Sequence, residues 1–117
     1  MGSEGALVSV SFIRLIVEEL LSQKAFNVRV LDMKDPTALC RYLVISEVFV
    51  DHHLKAVAEH LVVTLKKLGR RPRVEGRSSW ILLDCGLVVI HLLTSEARSY
   101  YSIETFWGDL TEEVVLS

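Results

Sequence analysis

The chain has 117 residues, enough for one domain and too few for two comfortable ones. Thirteen Lys and Arg against fifteen Asp and Glu give a net charge of −2, which argues against non-specific nucleic-acid binding as the main activity. Half of the residues are hydrophobic, so a domain this small should leave some apolar surface outside its core, as partner sites and oligomer interfaces do.

Residues 1–8 read as a disordered lead and 9–117 as a single domain. Phe12, Leu15, Ile16, Leu20 and Leu21 recur near helical spacing and predict a helix over Phe12–Lys24, with Ser11 able to cap it. Val28, Val30 and Leu31 predict a strand over Asn27–Met33, ended by Asp35-Pro36. Tyr42–Ser46 is β-branched and aromatic and predicts a second strand. The next helix has Asp51 as its expected cap and Leu54, Val57, Ala58, Leu61, Leu65 and Leu68 as its apolar stripe, with Gly69 as a left-handed stop. Arg70–Ser79 reads as a loop with room for a short strand around Val74. Trp80–Asp84 and Leu87–Leu93 are two further strands, and Cys85-Gly86 between them suggests a tight hairpin, although cysteine is unusual at a first turn position. From Ser95 the chain reads as a short helical turn and then irregular structure. This order implies a single-domain α/β fold, a mixed sheet with helices packed mainly on one face.

Alternation along the hairpin separates two faces. Ile81, Leu83, Val88, Ile90 and Leu92 form an aliphatic face for the helices to cover. Trp80, Leu82, Asp84, Leu87, Val89, His91 and Leu93 form a second face, too apolar for solvent and too polar for a core. Aromatic residues beside a few polar groups have the composition of an interface, and the competing reading is that the tail folds over them.

Charge is unevenly spread. Lys66, Lys67, Arg70, Arg71, Arg73 and Arg77 face one acid, Glu75, while the segment from Glu96 onward is acidic. The spacing favours a solvated helix end for the basic cluster; its functional alternative is electrostatic attraction to a polyanion.

Catalytic and metal-binding patterns are weak. Asp84 has no carboxylate two residues away and no Gly-rich phosphate loop is present, which leaves little for metal-dependent nucleotidyl transfer. His52 and His53 diverge on their helix, and His60 lies two turns beyond His53, so no metal site is expected and no cofactor. Cys40 and Cys85 form no Cys-x-x-Cys motif and have no base near them in sequence, so they read as structural thiols in a reducing, cytoplasmic setting. No apolar run approaches membrane-spanning length, and the start lacks the layout of a signal peptide.

Five stretches in order resemble the Iojap/RsfS family of ribosome-silencing factors: Val30-Leu31-Asp32; Tyr42–Ser46; Asp51–Ala58; Val74-Glu75-Gly76 through Trp80–Gly86 to Val88–His91; and Glu96-Ala97-Arg98 with Tyr101, Ile103-Glu104 and Trp107–Asp109. The resemblance implies an α/β sheet similar to the nucleotidyltransferase core without the transferase chemistry. It also implies docking on ribosomal protein L-fourteen of the large subunit, which blocks joining of the small subunit and represses translation, and it makes ribosomal RNA near that site the polyanion the basic cluster would meet. Seven positions depart from the family's pattern. Glu47-Val48-Phe49-Val50 stand where Ser-Gly-Thr-Ser is usual, His52 stands for Arg, Leu87 for Asp, and Arg41 for an acid.

On this basis the expected partner contacts are Tyr42, Trp80, Leu82, Asp84 and His91 on the sheet, with Glu96, Arg98, Tyr101, Glu104 and Trp107 from the tail. Two alternatives stay open: a metal-dependent nucleotidyltransferase-like enzyme, and a homodimeric module that buries the Trp80 face on itself.

Overall fold

The computed structural model describes residues 2–34, 40–101 and 111–114. Side chains are described for residues 10–34, 40–100 and 112–114. The chain runs α1 (Gly2–Ser22), β1 (Phe26–Met33), β2 (Tyr42–Val48), α2 (Asp51–Lys67), β3 (Arg73–Arg77), β4 (Trp80–Asp84), β5 (Val88–Thr94), α3 (Ser95–Tyr101) and β6 (Thr111–Glu113). The strands form one mixed sheet in the order β3-β4-β5-β2-β1-β6. Among the described strands β2 and β5 run parallel, and the other neighbours are antiparallel.

α1 begins well ahead of Phe12, so Ser11 lies inside it rather than at its cap. Its apolar stripe is Phe12, Ile13, Ile16 and Leu20, all buried, while Leu21 faces solvent. The helix stops where Lys24 turns left-handed at φ 69, and the N–H groups of Lys24 and Ala25 cap the carbonyls of Leu21 and Leu20. α2 ends the same way. Gly69 at φ 78 lets its own N–H and that of Arg70 reach the Lys66 and Leu65 carbonyls, as the lone Gly predicts. At the other end of α2, the cap position belongs to Val50, with no side-chain bond, and Asp51 is the first helical residue. There its charge favours the positive end of the helix dipole.

Both long helices pack on one face. Leu54, Val57, Leu61 and Leu65 of α2 and the α1 stripe meet Val44, Val48, Leu83, Ile90 and Leu92, nearly all fully buried. Each such Leu or Ile contributes about 2 kcal/mol through removal from water, before entropy is counted. Every residue of β2 is buried, because this central strand is covered on both faces. α1 and α2 are also tied by two histidines: His53 Nε2 lies 2.6 Å from the Gln23 carbonyl oxygen, and His60 Nε2 lies 2.7 Å from Glu19 Oε2. Those bonds account for two of the three α2 histidines without a metal.

β3 is an edge strand with all five residues exposed. Its Arg-Val-Glu-Gly-Arg sequence puts charge along a free edge, which discourages pairing with another chain. Gly76 is required there: it sits at φ +84, and a Cβ would come 2.3 Å from the Trp80 carbonyl oxygen. β6 has no signal in the sequence; it lies where irregular chain is expected and pairs with β1 through Leu31, Asp32 and Met33.

Candidate functional site

The β4–β5 hairpin is two residues out of the expected register. Trp80 lies opposite Leu93, Leu82 opposite His91, and Asp84 opposite Val89. The Cys85 N–H donates to the Val88 carbonyl at 2.9 Å, so the two-residue link is Gly86-Leu87, not Cys85-Gly86. Gly86, at φ +84, supplies the positive φ that such a link needs at its first position. The Asp84 carboxylate accepts the Gly86 N–H at 2.9 Å and braces the turn. Because the slip is two residues, each side chain keeps its face.

The second face therefore exists, but only part of it is open. Leu31, Met33, Leu43, Ile45 and Leu93 are buried there, with Ala97 of α3 packed against them. α3 is capped by Thr94, whose hydroxyl accepts the Ala97 N–H at 3.2 Å. It is held down by Arg98, which donates to Glu47 at 3.2 Å and to the Asn27 backbone carbonyl. Asn27 completes the arrangement with a 3.1 Å bond to the same Glu47 oxygen. The Arg98 and Glu47 side chains are only 10% and 11% exposed, so this is an internal strut. The departure at Glu47 from the family's usual residue is thus matched by a partner within the chain.

Toward β3 the cover thins. Trp80, Leu82, Asp84 and Val89 are half-buried side by side, and Leu87 at the turn is exposed. The register of β3 against β4 places Arg77 beside Trp80, Glu75 beside Leu82 and Arg73 beside Asp84. The result is an apolar strip with a charged margin, the layout of a docking patch with a hydrophobic centre and polar rim.

His91 lies under Trp80. The indole N–H donates to His91 Nδ1 at 3.1 Å, with ring centroids 5.9 Å apart. That nitrogen must be bare to accept, so the neutral ring carries its proton on Nε2. Burial keeps it neutral, pulling its pKa from 6.5 to about 4. His91 fixes the indole from below and, at 7% exposed, offers little surface of its own.

Two expected contacts are corrected. Tyr42 points to the other side, buried in the helix-facing core, with the Arg41 guanidinium 5.2 Å from its ring centre. Tyr42 to Ile45 are apolar without a break, so the sequence gives this end of β2 no orientation. Arg98 is expected at a partner but is committed to Glu47 and Asn27. Glu96 is exposed on α3, beside a hollow of about 370 Å³ lined by Asp51, Ser79, Thr94, Ala97 and Tyr100. Tyr101 closes α3, but its side chain, Glu104 and Trp107 lie outside the described residues. Arg73, Glu75 and Arg77 are not among the expected contacts, although they border the strip; the period-two alternation around Val74 is the signal that aligns them on one face.

Chemistry at this face is limited. Among the described residues no group of three His, Cys, Asp or Glu side chains could hold a metal. Burial raises the Cys85 thiol to about 11 and also raises Cys40, with Asp84 adding to both, so neither thiol is activated as a nucleophile. No helix among the described residues is long and apolar enough to cross a membrane.

The comparisons agree with this architecture. A chain from Bacillus halodurans whose crystal structure is known superposes with a TM-score of 0.78 at 28% identity, covering 91% of this chain and 98% of that one. The ribosomal silencing factor RsfS of Chromobacterium violaceum is 33% identical over 98 residues, 81% of this chain and 80% of the relative. A mouse protein named for mitochondrial assembly of the ribosomal large subunit is 30% identical over 101 residues, 81% of this chain and 44% of its own length. The family model "Ribosomal silencing factor during starvation" matches residues 8–116, nearly the whole domain. The chain belongs to the RsfS family of ribosomal silencing factors.

Proposed function

We propose that this protein docks on the large ribosomal subunit through the Trp80–Leu82–Val89 strip, and that by occupying that site it keeps the small subunit from joining and represses translation in the cytoplasm. The proposed contact is ribosomal protein L-fourteen, the partner that the family resemblance implies. The observation that carries the reading is the division of the second sheet face. α3 seals one half, with Leu43, Ile45 and Leu93 buried, and the β4 half is left half-open beside charged β3.

The parts have different roles. Trp80 and Leu82 supply apolar area at the centre, where most binding energy is concentrated. Asp84, Arg73, Glu75 and Arg77 surround them and set orientation and encounter rate. Glu96, Tyr101, Glu104 and Trp107 remain proposed contacts from the tail side.

Co-sedimentation with purified large subunits, small subunits and joined ribosomes tests this. Retention on large subunits alone, with loss of joining when small subunits are added, supports silencing. No retention at low salt refutes it. Sedimentation velocity of the protein alone and calorimetry with metal and nucleoside triphosphate then decide the homodimer and transferase alternatives.

A further inference from the structure

We infer that the corner formed by the end of α2 and the β3 edge is a second contact, one that grips the phosphate backbone of RNA. The inference rests on the ribosome reading for its setting but on separate residues for its chemistry. Residues 66–77 hold six cations, Lys66, Lys67, Arg70, Arg71, Arg73 and Arg77, against one acid, Glu75, in a chain whose net charge is −2.

Helix chemistry explains only part of that cluster. Lys66 and Lys67 occupy the last turn of α2, where cations offset the dipole. Arg71, Arg73 and Arg77 lie beyond the last turn, where the dipole has faded. Arg70 has its own task, with its guanidinium 4.2 Å above the Phe12 ring, joining the corner to α1. The remaining five cations are exposed. Among the described residues Lys66, Lys67, Arg71 and Arg77 make no ion pair, and Arg73 meets only Glu75, at 3.3 Å with both side chains open to water. Such an exposed pair is worth little.

Placement is the second argument. β3 carries Arg73 and Arg77 onto the same face as Asp84 and Trp80, so the cationic edge is continuous with the proposed docking strip. A protein held at Trp80 and Leu82 on a ribosomal surface presents this edge to whatever borders that contact. The rest of the chain is net acidic and repels a polyanion. Approach is therefore favourable only with this corner leading, and the corner orients the molecule as it binds. An exposed row of Lys and Arg meets the phosphates of an A-form duplex, whose deep, narrow major groove keeps side chains from the base edges.

The test uses the full chain and its Lys66→Gln/Lys67→Gln/Arg71→Gln variant, all exposed positions, with Trp80→Ala as a second variant. Binding to large subunits is measured from about 50 to about 200 mM salt, and binding to a short A-form RNA duplex in parallel. Each lost phosphate contact lowers the log–log salt slope by about 0.9, so the triple variant should lose about 2–3 from its slope, and its deficit should shrink as salt rises. Trp80→Ala should weaken subunit binding with the slope kept. An unchanged slope in the triple variant overturns the inference. Weaker subunit binding by the triple variant with no duplex binding by either protein would assign the corner to an acidic protein surface and also overturn it. If the natural chain does not bind subunits, the ribosome reading fails and the duplex alone decides: no binding at about 50 mM salt removes the RNA contact as well.

Discussion

Acid should weaken this fold through His91 in a way that one substitution can isolate. The ring is buried under Trp80 with its pKa lowered to about 4, while in the unfolded chain it titrates near 6.5. Above pH 6.5 neither state holds the extra proton and stability is unaffected. As pH falls below 6.5 the unfolded state takes up the proton first, so the native state loses ground until the folded ring also titrates near pH 4. A separation of this size corresponds to about 3 kcal/mol in full and about 2 kcal/mol at about pH 5. His91→Gln keeps an acceptor near the indole but cannot titrate. Urea unfolding of both proteins between about pH 7.5 and about pH 5 gives the difference in stability, from which His52, His53, His60 and all carboxylates common to the two chains drop out. The natural protein should lose about 2 kcal/mol relative to the variant over that interval. Parallel pH profiles would refute a neutral, desolvated His91.

Three further outcomes are expected. Trp80→Ala should weaken large-subunit binding by on the order of 2 kcal/mol, read by sedimentation of a variant whose circular dichroism shows it is folded; unchanged affinity removes Trp80 as an anchor. Gly76→Ala combines φ +84 with a Cβ 2.3 Å from the Trp80 carbonyl oxygen, and should cost about 2 kcal/mol or more in chemical denaturation. Arg98→Ala leaves the Glu47 carboxylate nearly buried with only Asn27 as a described side-chain partner; a loss of about 3 kcal/mol and faster amide exchange in α3 should follow.

What the sequence reveals and what it hides divide along the range of the interaction. α2 is legible because its stripe and Gly69 are local, and the aliphatic hairpin face is legible because strand alternation has a period of two. That period also explains why a wrong turn position does no harm. Moving the link from Cys85-Gly86 to Gly86-Leu87 shifts the partners of Trp80 and Leu82 by two residues and leaves both faces intact, whereas a slip of one would have put His91 under the helices. Tyr42 is misjudged because Tyr42 to Ile45 are all apolar, so the start of β2 carries no parity to read. The Arg98–Glu47 strut joins residues 51 apart, and no local spacing announces it.

These long-range contacts decide how the second face is used. Arg98 and Glu47 fix α3 over Ile45 and Leu93, so the tail-cover reading holds for that half, and among the described residues the β4 half is the more open. There the indole has one N–H and gives it to His91, which sets the ring's tilt and removes its polar group from the surface. What Trp80 then offers is ring area at a fixed angle, flanked by Arg77 across the β3 pairing and by Leu82 two residues along. On the proposed reading a partner gains little by hydrogen bonding to it and much by covering it, and orientation falls to the charges on the neighbouring strand.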